Sequence, residues 1–159
     1  MATLMTLPTV EQEWQRFQDD LAACLGAMED DEYLVISAKH RQNCYVQFAQ
    51  GGSFGMRAEA VGNSYADPEE ALTTDDYDRM VFLGWMRATV TPGESSPDGS
   101  PNFFIETPAP VDYGAVAELA VRSLRDIYKI GHPRRLQYKA FNRKGTSIRF
   151  PSLRIKREA

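Results

Sequence analysis

Two cysteines and two histidines are all that 159 residues contain, and this scarcity removes whole classes of chemistry. Cys24 falls in a helix-like pattern and Cys44 in a strand-like one. Isolated in this way, they read as small core residues of a reducing compartment, not as a disulfide framework. His40 and His132 sit beside neither a cysteine nor each other, and there is no CxxC, HExxH or EF-hand loop, so no metal site is expected. A GxSxG elbow is also missing, and the paired acids Asp19-Asp20, Glu69-Glu70 and Asp75-Asp76 read as solvated helix faces. With no convergent titratable set, neither an enzyme nor a cofactor is expected. No stretch approaches the roughly 18 apolar residues of a membrane span. Met1 to Glu13 has no basic start and no long apolar run, so a secretory signal is not expected and a cytoplasmic location is.

What is present is a globular composition, 43% hydrophobic and 11% aromatic, enough for one core without staples. The net charge of −4 conceals a division. Residues 1–121 hold 6 Lys+Arg against 20 Asp+Glu, and residues 122–159 hold 12 against 2, so a body of −14 carries an end of +10. Charge asymmetry of this size bears on partners rather than on fold.

Thr9 with Gln12 has capping-box spacing, and Trp14, Phe17, Leu21, Leu25 and Met28 follow at steps of three and four, one apolar helix face. Three strand-like runs come next. Tyr33-Leu34-Val35-Ile36 is continuous and apolar, which reads as a well-buried strand. Cys44 to Phe48 is the second run. Phe54, Met56, Ala58 and Ala60 alternate with Gly55, Arg57 and Glu59. Short links, including Gly51-Gly52-Ser53, make these an antiparallel meander. That glycine run joins two strands and meets no helix start, so it is a hairpin turn and not a phosphate loop. Thr73 or Thr74 caps a second helix that Gly84 ends, Trp85 to Val90 reads as a fourth strand, and residues 92–101 form a turn-rich loop. Asn102 to Thr107 is the fifth strand. Asp112 caps a third helix, with Val116, Leu119, Ala120, Leu124 and Ile127 on its stripe and Gly131 and Pro133 at its end. Beyond Leu136 the chain reads as extended or irregular. The expected fold is α+β, in the order α-β-β-β-α-β-β-α, with an antiparallel five-stranded sheet covered mainly on one face by helices. A single domain is expected over residues 9–142, with a basic C-terminal extension over 143–159.

The pairs Arg134-Arg135, Arg143-Lys144 and Lys156-Arg157, interleaved with Tyr138, Phe141 and Phe150, have three readings. They form an anion- or nucleic-acid-binding stripe, or they neutralise the acidic body, or they clamp an acidic partner. The charge of the body opposes phosphate and favours the last two.

The ordered motifs also carry a likeness. They are Tyr45-Val46-Gln47-Phe48, Ala58-Glu59-Ala60-Val61-Gly62-Asn63, Leu83-Gly84-Trp85, Asn102-Phe103, Leu124-Arg125-Asp126-Ile127-Tyr128 and His132-Pro133 with Leu136-Gln137-Tyr138. Their order over residues 10–142 resembles the TY-Chap group, bacterial domains similar to type III secretion chaperones and YbjN-like proteins. The resemblance implies the same element order, a polypeptide client, frequent homodimerisation, no catalysis and service to a secretion or inter-bacterial conflict system. A sheet face or edge suits such a client, since it offers backbone bonds and alternate side-chain pockets. The candidate peptide-contacting residues are Tyr45, Gln47, Arg57 and Glu59 on one strand face, with Trp85 and Phe103 nearby. Core packing is the competing assignment for Trp85.

Overall fold

The computed structural model describes residues 6–64, 68–90 and 99–158. Thr9 starts the first helix, α1 (Val10–Ala27), through the expected capping box. Its hydroxyl accepts from the Gln12 N–H at 3.1 Å, and the Gln12 side chain accepts from the Thr9 N–H at 2.8 Å. Two of the donors that a helix start leaves open are thereby satisfied. Trp14, Phe17, Leu21, Cys24 and Leu25 make its buried face.

The meander follows as β1 (Glu32–Ala38), β2 (Arg41–Gln50) and β3 (Met56–Ala60), paired antiparallel in sequence order. A second capping box, Thr73 with Asp76, opens α2 (Thr74–Leu83), and Gly84 at φ 130° turns the chain out of it. β4 (Phe103–Thr107) pairs antiparallel with β3. The Asp112 carboxylate caps α3 (Tyr113–Arg122), which runs into a π-helical turn over Ser123–Ile127. Ser123, Leu124 and Ile127 are buried within that turn.

Three expectations change. Phe54 does not start the third strand. It sits in a 3-10 turn, Gly52–Phe54, and is 91% exposed. Gly55, at φ 95°, makes the sharp entry to β3, and a Cβ there would lie 1.9 Å from the Thr107 carbonyl oxygen, so only glycine passes. Trp85 to Val90 is not a strand. Met86 alone bridges Phe104, because Trp85 is drawn into the core, where its indole N–H donates to Ser123 Oγ at 2.8 Å. The missing strand comes from the C-terminal part instead. β5 (Leu136–Asn142) pairs antiparallel with β1, and β6 (Lys156–Arg157) lies parallel to β5. The sheet is therefore six-stranded and mixed, in the order β4-β3-β2-β1-β5-β6, rather than five-stranded and antiparallel. The turn-rich loop expected at residues 92–101 falls largely outside the described residues.

One sheet face meets the helices. Leu34, Ile36, Val46, Phe48, Ala58, Phe103, Leu136 and Tyr138 join the buried faces of α1 and α3 in a single cluster. Burial of this kind is the main stabilising term, roughly 1.5–3 kcal/mol for each large side chain. The segment after β5 closes that strand's outer edge. Asn142 N–H donates to Thr146 O at 3.0 Å, Ile148 N–H to Ala140 O at 2.9 Å and Glu158 N–H to Tyr138 O at 2.7 Å. Between these contacts Leu153 enters the core, and Arg154 grips Asp20 of α1 with two bonds of 3.0 and 2.8 Å.

Candidate functional site

Among the described residues, the opposite sheet face carries no helix. Side chains alternate along a strand, so residues flanking the core positions must point there. Register then sets them in transverse rows. One row runs Phe104, Glu59, Gln47, Val35, Lys139 across β4, β3, β2, β1 and β5. Its neighbour runs Glu106, Arg57, Ala49, Tyr33, Phe141. The apolar run Tyr33 to Ile36, expected to be a well-buried strand, is fully buried on one face only. Leu34 and Ile36 are in the core, and Tyr33 and Val35 lie half-buried on the open face.

Charged side chains flank the apolar centre on both sides. Arg57 faces two carboxylates, ion-paired to Glu106 and 3.8 Å from Glu59, while its guanidinium sits 4.7 Å from the centroid of the Phe104 ring. Glu59 also accepts from Gln47 Nε2 at 2.9 Å. At the other side Tyr33 and Phe141 stack at 5.3 Å, and Lys139 stands exposed. Between these walls lies a depression of about 170 Å³, whose floor includes Val35 and Ala49. A second, more polar one is lined by Ser37, Asn43, Tyr45, Gln137, Lys139 and Glu158.

Of the residues expected to contact a peptide, Tyr45, Gln47, Arg57 and Glu59 come together on this face. Tyr45 also receives a bond from Asn102 Nδ2 at 3.3 Å. Trp85 and Phe103 do not join them, because both are buried in the core on the helix side. Tyr33, Val35, Ala49, Phe104, Lys139 and Phe141 belong to the face and were missed. The signal that finds them is the alternation in β1 and β5, which becomes usable once β5 is known to lie beside β1.

The basic residues spread along one sheet edge. Arg134 and Arg135 lie in the 3-10 turn before β5, Arg143 and Lys144 in the turn after it, and Lys156 and Arg157 on β6. Among the described residues Arg134, Arg135, Arg143, Lys144 and Lys156 have no ion-pair partner, while Arg157 donates to Ser147 Oγ at 2.6 Å. Only Arg154, of the cations beyond residue 142, pairs with the acidic body among the described residues.

Burial pushes the Cys24 thiol up to about 12 and the Cys44 thiol up to about 11 from 9.0, with Glu32 adding to the effect on Cys24. Both stay protonated at neutral pH, the opposite of an activated nucleophile. Among the described residues no three His, Cys, Asp or Glu side chains gather as a metal site. No helix among them is long and apolar enough to cross a membrane.

The family model TY-Chap3, described as T3SS (YopN, CesT) and YbjN peptide-binding chaperone 3, matches residues 8–142. The chain belongs to the TY-Chap3 family. No curated protein and no solved structure matches the chain. TY-Chap3 is a chaperone-type, generally non-catalytic family, and membership implies a peptide-binding, chaperone-like role with a polypeptide partner. The TY-Chap3 match ends where β5 ends, so residues 143–158, which close the β5 edge, lie beyond it.

Proposed function

We propose that the protein holds an extended segment of a client polypeptide against the helix-free face of its sheet, with no chemical step. The half-buried Tyr33 and Val35 at the centre of that face carry this reading, since a peptide-binding fold exposes apolar groups where its client covers them. Both sheet edges are poor sites for strand addition. Met86 blocks part of β4, whose last residue precedes Pro108, and the C-terminal segment occupies the outer edge of β5. Service to a secretion or conflict system, a cytoplasmic location and a homodimer are part of the proposal, supported by the family likeness. Val81, Phe82 and Met86, exposed around the end of α2, are the apolar surface that a second copy would cover.

The rival is anion or nucleic-acid binding through the exposed cations along the β5 edge. Capturing the tagged full chain from its native cytosol through a high-salt wash separates the two. One or two stoichiometric polypeptides, lost from a Val35→Lys variant, are expected. Nucleic acid released in the high-salt wash, with no polypeptide retained after it, would sink the peptide reading and move the function to residues 134–157.

A further inference from the structure

The open face is not uniform, and its relief specifies a ligand. In the row Glu106, Arg57, Ala49, Tyr33, Phe141, a single methyl stands between an arginine and a tyrosine. Ala49 and the neighbouring Val35 thus floor a notch, walled by the Tyr33–Phe141 stack on one side and by Arg57 on the other. The charges around it are ordered. On the β3–β4 side Glu59 and Glu106 share the one cation Arg57. Glu59 spends one oxygen on Gln47, and its other oxygen is only 3.8 Å from Arg57, which leaves acceptor capacity. On the β5 side Lys139 is exposed and, with Glu158, lines the second, more polar depression next to the notch, with no ion pair between them among the described residues.

Glu59, Gln47, Val35 and Lys139 occupy one transverse row. Three inter-strand steps of about 4.8 Å separate Glu59 from Lys139, or roughly 14 Å. An extended peptide crossing the strands covers this in about four residues at ~3.3 Å each. Its side chains i, i+2 and i+4 point the same way.

From this spacing we propose that the face selects an extended client segment with a basic residue, a large apolar residue two positions on, and an acidic residue two positions further, in either chain direction. The cation meets Glu59, the apolar side chain lies over Val35 and reaches sideways into the notch that Val35 and Ala49 floor, and the anion meets Lys139. This inference rests on the peptide-binding reading of the face. It differs in that charge complementarity and the depth of one notch name the client's chemistry.

The test pans a displayed random heptapeptide library against the intact chain. Affinity is then measured by fluorescence polarisation on the wild type, Ala49→Phe, Ala49→Leu and Glu59→Lys. Ala49 points away from the core, and aromatic residues suit strands, so the filled variants keep the far-UV spectrum of the wild type. Enriched peptides are expected to carry the basic, apolar and acidic triplet. Excluding the anchor from the notch should weaken binding roughly ten- to hundredfold, and Glu59→Lys should shift selection away from basic residues. Peptides that perturb the amide resonances of the open face yet bind Ala49→Phe undiminished, or that lack the triplet, overturn the notch while leaving the face reading intact. Failure to enrich any peptide that perturbs this face overturns both.

Discussion

Leu153 offers a sharp measure of how far the C-terminal segment belongs to the folded domain. It lies beyond the family match, yet it is 1% exposed and packs in the main cluster. Truncating it in Leu153→Ala removes buried methyl groups and leaves a hole, which costs about 2–5 kcal/mol in well-packed cores. Domains have only about 5–15 kcal/mol to lose, so a central value of about 3 kcal/mol is a large share. At roughly 2–4 °C per kcal/mol for a chain of this size, the midpoint of thermal unfolding should fall by about 6–12 °C. Urea unfolding followed by tryptophan fluorescence reads this directly, because Trp14 and Trp85 are both buried in the same cluster. Arg154→Ala, which breaks the exposed grip on Asp20, is the control and should leave the midpoint nearly unchanged. A Leu153→Ala loss below about 0.5 kcal/mol, the size of an ordinary surface change, would refute the view that this segment is part of the core.

Three further outcomes are expected. Both thiols are held protonated in the folded chain and ionise near 9.0 once unfolded. Stability should therefore be complete below pH 9 and fall between pH 9 and 11 by about 1.4 kcal/mol per pH unit for each thiol. Urea midpoints across that range check this, and a Cys24→Ala/Cys44→Ala double variant that falls as steeply would contradict it. Gly55→Ala puts a Cβ against the Thr107 carbonyl at a backbone conformation open almost only to glycine, so it should cost about 3 kcal/mol or prevent folding, read from soluble yield and thermal midpoint. Phe82, 91% exposed, buries nothing in the monomer. Phe82→Glu should leave the thermal midpoint of the monomer intact and convert a dimer to monomer in sedimentation velocity; an unchanged sedimentation coefficient would remove this patch from the dimer proposal.

The local signals in the chain were sufficient where an element is decided by its own residues. The Thr9–Gln12 box and the Trp14 to Leu25 spacing specify α1, and the Asp112 cap specifies the start of α3. Strand-like runs joined by short polar or glycine-rich links specify the meander. The element order α-β-β-β-α was thus legible, as were four members of the open face: Tyr45, Gln47, Arg57 and Glu59. Errors arose where a distant contact overrides local pattern. Trp85 to Val90 has strand-like composition, but a hydrogen bond to Ser123 and the pull of the core take Trp85 out of a ladder. Leu136, Tyr138 and Ala140 alternate correctly, but their basic neighbours disguise a strand whose partner, β1, lies about a hundred residues earlier.

By itself, then, the sequence determined the three helices and the first three strands, the family to which the chain belongs and the want of metal or nucleophile motifs, because helix periodicity, caps, turn residues and ligand spacings are properties of neighbouring residues. Tertiary structure alone decided that β5 enters between β1 and β6 and that Val35, Ala49 and Lys139 share a surface with Glu59. The pairing of β5 with β1 and of β6 with β5 joins residues far from the meander in sequence, and it is selected by which apolar surfaces fit together in one core rather than by a turn.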